Sequence, residues 1–195
     1  MAKRPAPIRK QAWSWQLRIE LLGVSPTVWR RITVPEIIKL PKLHRVFQTA
    51  LGWTNSHLHE FVIGGVRYSD PDPDLGDELD HVDEKNVVLV KALGLDARCF
   101  DYVYDFGDNW HHIVIVEDQL PHLDVAPSLV HCSDGANSCP PEDVGSTGGY
   151  AEFLEAIADP DHEEHDRYLE WVGGHFDPKR FDLDTTNLAL SKIKV

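Results

Sequence analysis

The stretch WQLRIELLGVSPTVWRRITVP, residues 15–35, decides the fold class. Trp15, Leu17, Ile19 and Leu21 alternate with Gln16, Arg18 and Glu20, the period-two pattern of a strand with one buried face. Gly-Val-Ser-Pro at 23–26 turns the chain, and TVWRRITVP follows as a second run of β-branched and aromatic residues. The pair reads as an antiparallel hairpin. Arg30 shares parity with Val28, Ile32 and Val34, and a guanidinium on a core face requires either a sheet edge or a buried partner.

Downstream, Leu40, Leu43, Phe47, Ala50 and Leu51 recur at helical spacing between Pro41 and Gly52, which predicts an amphipathic helix of about three turns. HEFVIGGVRY, 59–68, reads as strand, tight Gly-Gly turn, strand. An acidic, Pro-broken loop follows, and two more strands near 98–105 and 110–117 flank FGDN. From about 119 to 147 the chain is rich in Pro, Ser, Gly and Asp and reads as irregular. Two helices are then expected, one after Gly148 and Gly149 and ending at Pro160, the next ending at Gly173 and Gly174, with a last helical segment near the C-terminus. This order implies an α+β fold: a mixed or antiparallel sheet, compatible with a β-grasp-like arrangement, packed on a helix and followed by a C-terminal helical segment. The expected organisation is a basic arm at 1–14 and one domain at 15–195, with its sheet core at about 15–118.

With 42% hydrophobic and 26% charged residues in 195, the chain can bury a core and is not of disordered type. No apolar run approaches the ~20 residues of a membrane span. The basic first ten residues lead into no apolar signal core, so a cytoplasmic protein is expected. Three cysteines in that setting favour free thiols over disulfides. The net charge of −13 divides unevenly: residues 1–45 carry +8 and residues 46–195 carry −21. The basic segment leaves open a nucleic-acid role, but the acidic remainder repels phosphates over ~8 Å at physiological salt. Specific DNA binding is therefore not expected.

Three stretches carry a resemblance: LPKLHRVFQTALGWTNSHLHEF (40–61), YVYDFGDNWHH (102–112) and CSDGANSCPPEDVGSTGGYAEFLEAIADPDHEEHDRYLEW (132–171). Together with FDPKRFDLDTTN (176–187), they resemble the plasmid pRiA4b ORF-3-like family, also labelled the insertion-element passenger TnpR family. The resemblance spans about residues 15–190 and implies an α+β fold, a mobile-element association and no particular activity. Residues matching the family's motif include Trp53, His57, His59, Phe61, Tyr104, Asp105, Gly107, Asp108, Trp110, His112, Cys139 and Pro140–Asp143. Asn137 stands where the family usually has Arg, and Ser146 replaces the second Gly of a usual pair.

The candidate chemistry lies in the same motifs. Asp105, Asp108 and His112 of the hairpin can act as ligands or acid/base groups, or Asp105 and Asp108 can cap the turn while Gly107 supplies a positive φ. His57 and His59, read on one strand parity, present both imidazoles to one side, where they could bind a metal such as zinc or cap the core. Cys139 and Cys132 have six residues between them, outside zinc-knuckle spacing, but Cys139 could complete a Cys/His site with these histidines. Glu142 and Asp143 precede a helix, where carboxylates favour the dipole and also serve metals. HEEH at 162–165 lacks the zincin spacing, and the acidic loop departs from the EF-hand pattern. No Walker loop, dinucleotide fingerprint, nucleophile elbow or recombinase constellation is present.

If HLHEF, DFGDNWHH and CPPEDVG meet at one end of the sheet, His57, His59, Asp105, Asp108, His112, Glu142 and Asp143 form one polar pocket, framed by Trp53, Phe61, Tyr104 and Trp110. Clustered carboxylates need compensation, for which Arg30 or a divalent metal is the candidate. The expected function is an accessory or binding domain for a protein or small-molecule ligand. A metal-dependent hydrolase using the same cluster is the alternative, and homo-oligomerisation stays open.

Overall fold

The computed structural model describes residues 13–71, 81–94, 97–121 and 130–194. Most of the basic arm and of the acidic loop lies outside these residues. The fold is α+β, built on an eight-stranded sheet in the order β5-β4-β3-β6-β7-β1-β2-β8. β1 (Trp13–Leu21) and β2 (Trp29–Pro35) form the predicted hairpin, with Leu17 opposite Ile32 and Ile19 opposite Arg30. Their inward residues Trp15, Leu17, Ile19, Leu21, Ile32 and Val34 are fully buried. β7 (Trp110–Pro121) pairs with β1 on its other side, so β1 is central.

Helix α1 (Leu40–Leu51) buries Leu40, Leu43, Val46, Phe47, Ala50 and Leu51 in the core. Pro41 opens it, and Gly52 closes it at φ +95°, a left-handed cap that sends the chain toward the site. β3 (His59–Ile63) and β4 (Val66–Ser69) turn at Gly64-Gly65, and β3 also pairs with β6 (Cys99–Tyr104). β6 and β7 form the third hairpin, with Tyr104 opposite Trp110. The sheet is mixed because β5 (His81–Asp83) runs parallel to β4; a 3-10 turn (Glu84–Asn86) and the short helix α2 (Leu89–Leu93) follow.

Within the stretch expected to be irregular, His131–Ala136 form strand β8 on the edge beside β2. Its sequence, HCSDGA, has no apolar alternation, and tertiary pairing holds it. Asn187 of α5 (Leu183–Leu190) accepts from the Cys132 N–H and donates to the Cys132 carbonyl, each at 2.8 Å. Helix α3 (Ser146–Ala158) begins earlier than expected, with Gly148 and Gly149 inside its first turn. A Cβ at Gly149 would sit 2.1 Å from the Val144 carbonyl oxygen, so close backbone approach, not chain reversal, requires glycine there. Helix α4 (His165–Trp171) packs on α3, where Phe153 meets Tyr168 and Trp171 edge-to-face. Among the described residues no helix is long and apolar enough to cross a membrane.

Candidate functional site

Three segments meet at the end of the sheet near Tyr104. The first is the loop that leaves α1 through Gly52 and reaches β3, the second is the turn between β6 and β7, and the third is the segment from Cys139 to α3. His57 in the first places Nε2 3.6 Å from Asp105 Oδ2 of the second, and 3.7 Å and 3.1 Å from Glu142 Oε2 and Asp143 Oδ1 of the third. That nitrogen is buried and makes no hydrogen bond of acceptable geometry with any of them. Ligand atoms of His57, Asp105 and Asp143 all lie within 4.8 Å of one another, and they form the one His/Cys/Asp/Glu group of this kind among the described residues.

Each carboxylate is fixed by its own segment. Asp105 adopts φ +58° and accepts on Oδ1 from the N–H groups of Gly107 and Asp108, which leaves Oδ2 toward His57. The positive φ expected of Gly107 belongs instead to Asp105 and Asn109. Glycine is suited to position 107 by space, because a Cβ would approach Asp105 Oδ1 to 3.2 Å. Asp108 turns away from the cluster and accepts from the Gly145 N–H at 3.1 Å, tying the hairpin to the third segment. Glu142 accepts on Oε1 from the Thr54 N–H and hydroxyl, at 2.8 and 3.0 Å, and from the Tyr104 hydroxyl at 3.2 Å. The Tyr104 hydroxyl in turn accepts from the Ser56 N–H. Burial, and next among the raising effects the Glu142 charge, push this phenol up to about 12, so it acts as a proton donor. Thr54 and Ser56 are the site residues that sequence reasoning missed, and Tyr104, expected only as a framing aromatic, also supplies its hydroxyl. The signal of the missed pair was the hydroxyl-rich Thr-Asn-Ser run directly after the Gly52 cap.

The other expected site residues are placed elsewhere. His57 lies in the loop and β3 begins at His59, so strand parity does not align their rings. His59 is buried, pairs through Nε2 with Glu84 Oε2 at 3.1 Å, and stacks on His44 with centroids 3.5 Å apart. His44 belongs to a closed ring of hydrogen bonds. Gln48 Nε2 donates to the Tyr102 hydroxyl, which donates to His44 Nδ1; the opposite His44 nitrogen then donates to Asn55 Oδ1, and the Asn55 N–H returns to Gln48 Oε1. Burial, then the neighbouring His59, lower His44 to about 3, so its ring is neutral. The ring fixes Asn55 at φ +60° and with it the loop carrying Thr54 and His57.

His112 is fully buried inside the core, edge-on to Trp53, donating from Nδ1 to the Tyr102 carbonyl at 3.2 Å. Burial lowers it to about 3. Trp53 donates from Nε1 to the Pro140 carbonyl, and Tyr104 and Trp110 are buried beside it, so these aromatics pack the base of the site, whereas Phe61 packs against Phe47, Phe100 and Tyr102 in the core. Cys139 is a free, buried thiol that burial pushes up to about 12, and Cys132 and Cys99 are also free. Arg30 does not reach the carboxylates. It donates to the carbonyls of Ala50, Trp29, Ala136 and Asn137 and stacks on Phe181 at 4.1 Å.

The fold and site define an α+β domain with a wide mixed sheet and a His/carboxylate cluster joining three loops. The sequence profile of the plasmid pRiA4b ORF-3-like protein family matches residues 14–185, and this chain belongs to that family. It is 44% identical over 181 residues to the uncharacterized protein y4hQ of Sinorhizobium fredii, covering 91% of each chain. The crystal structure of MM3350 from Methanosarcina mazei Go1, a protein of unknown function, superposes with a TM-score of 0.80 at 32% identity, covering 90% of this chain and 98% of that one.

Proposed function

We propose that this chain is a binding domain in which His57, Asp105 and Asp143, backed by Glu142, hold a divalent cation and present it to a small-molecule or protein ligand. One observation carries the reading: among the described residues the buried His57 Nε2 has no hydrogen bond, although carboxylates from two other segments surround it. One imidazole with two carboxylates suits zinc, manganese or ferrous iron over calcium. Donors about 2.1 Å from a shared ion stand about 3–4 Å apart, so the present spread closes with a shift of under about an ångström. The Asp143 side is exposed and leaves coordination positions for water or a ligand. Three free cysteines fit a reducing, cytoplasmic setting.

Calorimetric titration of the full chain with manganese and with zinc tests this. Saturable binding of one ion per chain is expected for at least one metal, weakened at least about tenfold by His57→Ala or Asp143→Asn. Absence of binding for both metals, or variant affinities equal to wild type, contradicts it.

A further inference from the structure

We infer that the cleft between the C-terminal end of α1, the Cys139–Glu142 segment and the C-terminal helices is a second binding site, for a small organic anion with a flat apolar body. The cleft encloses about 690 Å³, within the range of small-molecule sites, and shares only its Glu142 edge with the His57 cluster. Leu51, Trp171, Val172, Phe176 and Phe181 give it apolar walls.

Arg30 and Arg180 are the cations of the lining; of its carboxylates, Glu142 is held by Thr54 and Tyr104 and Asp182 caps α5. Arg30 is 3% exposed and forms no ion pair among the described residues. Four donations from its guanidinium go to backbone carbonyls: Nε to Ala50, Nη1 to Trp29 and Ala136, Nη2 to Asn137. Of the five N–H groups of an arginine, one on Nη2 is left uncommitted. Carbonyls satisfy donors without neutralising charge, so a full positive charge stays uncompensated at the cleft floor, where low dielectric strengthens its pull on an anion. Gly135 makes this packing possible, because a Cβ there would lie 2.8 Å from both Arg30 Cδ and Phe181 Cε1.

At the rim, the Arg180 side chain is 70% exposed, and its one ion pair among the described residues is with Asp182, at 4.0 Å. Asp182 is engaged in capping α5 through the Thr185 N–H. Arg180 is therefore available to a carboxylate or sulfonate above the Arg30 floor, while rings of Trp171, Phe176 and Phe181 face the ligand body. The overall charge of −13 disfavours polyanions and leaves a compact monoanion as the matching ligand.

The test compares 2-naphthoate with neutral 2-naphthamide, two probes of one shape, by NMR titration of the full chain, following the Trp171 indole resonance identified with Trp171→Phe. Saturable naphthoate binding about tenfold tighter than the amide is expected, with Arg180→Gln narrowing that ratio at least about threefold while the Arg30 charge keeps part of it. Arg180→Gln is chosen because Arg30 also holds the fold. Equal affinity for the two probes, no binding at millimolar concentration, a preference untouched by Arg180→Gln, or shifts centred away from Trp171 overturns the proposal.

Discussion

At the scale of single residues, the site stands on backbone conformations that few side chains tolerate. Asn55, Asp105 and Asp143, one in each converging segment, have φ near +60°. Asn and Asp accept that region more readily than other non-glycine residues, and the residual strain is held by surrounding contacts. Asp143 carries a further cost, since without a cation it adds a third carboxylate around one imidazole. Asp143→Asn keeps the left-handed backbone and removes a like charge, so metal-free stability should rise by up to about 0.5 kcal/mol while metal affinity collapses. Urea unfolding of the metal-free variant checks this, and a clear loss of stability would count against a strained, charge-crowded site. Arg30 has the opposite profile. Arg30→Met strips donors from four carbonyls and should cost about 3 kcal/mol, with Arg30→Lys less damaging, as read from denaturation midpoints.

At the scale of elements, two buried imidazoles make stability depend on pH: His44, in the hydrogen-bonded ring joining α1, the loop after it and β6, and His112 on β7. His44 and His112 are lowered from 6.5 to about 3 by burial, so below pH 6.5 the unfolded chain binds protons that the folded chain refuses. Their stabilisation is complete above that pH and falls as the solution acidifies, with a slope approaching about 3 kcal/mol per pH unit near pH 5. Urea midpoints at pH 7, 6 and 5 should show this fall, and His112→Leu should halve it; a flat profile would place both rings in contact with water. The same elements show what the sequence discloses. The hairpins and α1 were legible because their alternation and caps are local, as at Trp15–Leu21 and at Gly52. β8 was not, because its stability lies in pairing with β2 and in the Asn187 clamp, neither of which leaves a periodic trace. Within the candidate site, the carboxylates and His57 could be nominated from motifs. The diversion of His59 to Glu84 could not, since the start of β3 decides it.

At the scale of the whole molecule, charge sets which partners approach. The segment from residue 46 onward carries −21, so duplex DNA should be retained weakly and with steep salt dependence. Sub-micromolar, sequence-selective binding in a mobility-shift assay at moderate salt would require a different account of this protein. The molecule's organising feature is the convergence of three loops, from α1, the β6-β7 hairpin and the approach to α3, on His57, where a metal ion is proposed to join them. The most direct measurement is anomalous diffraction from crystals grown with zinc or manganese. One peak is expected, bounded by His57 Nε2, Asp105 Oδ2 and Asp143 Oδ1, and lost in Asp143→Asn crystals. A map with no peak there under either metal, and with His57 Nε2 hydrogen-bonded to a carboxylate, would contradict it.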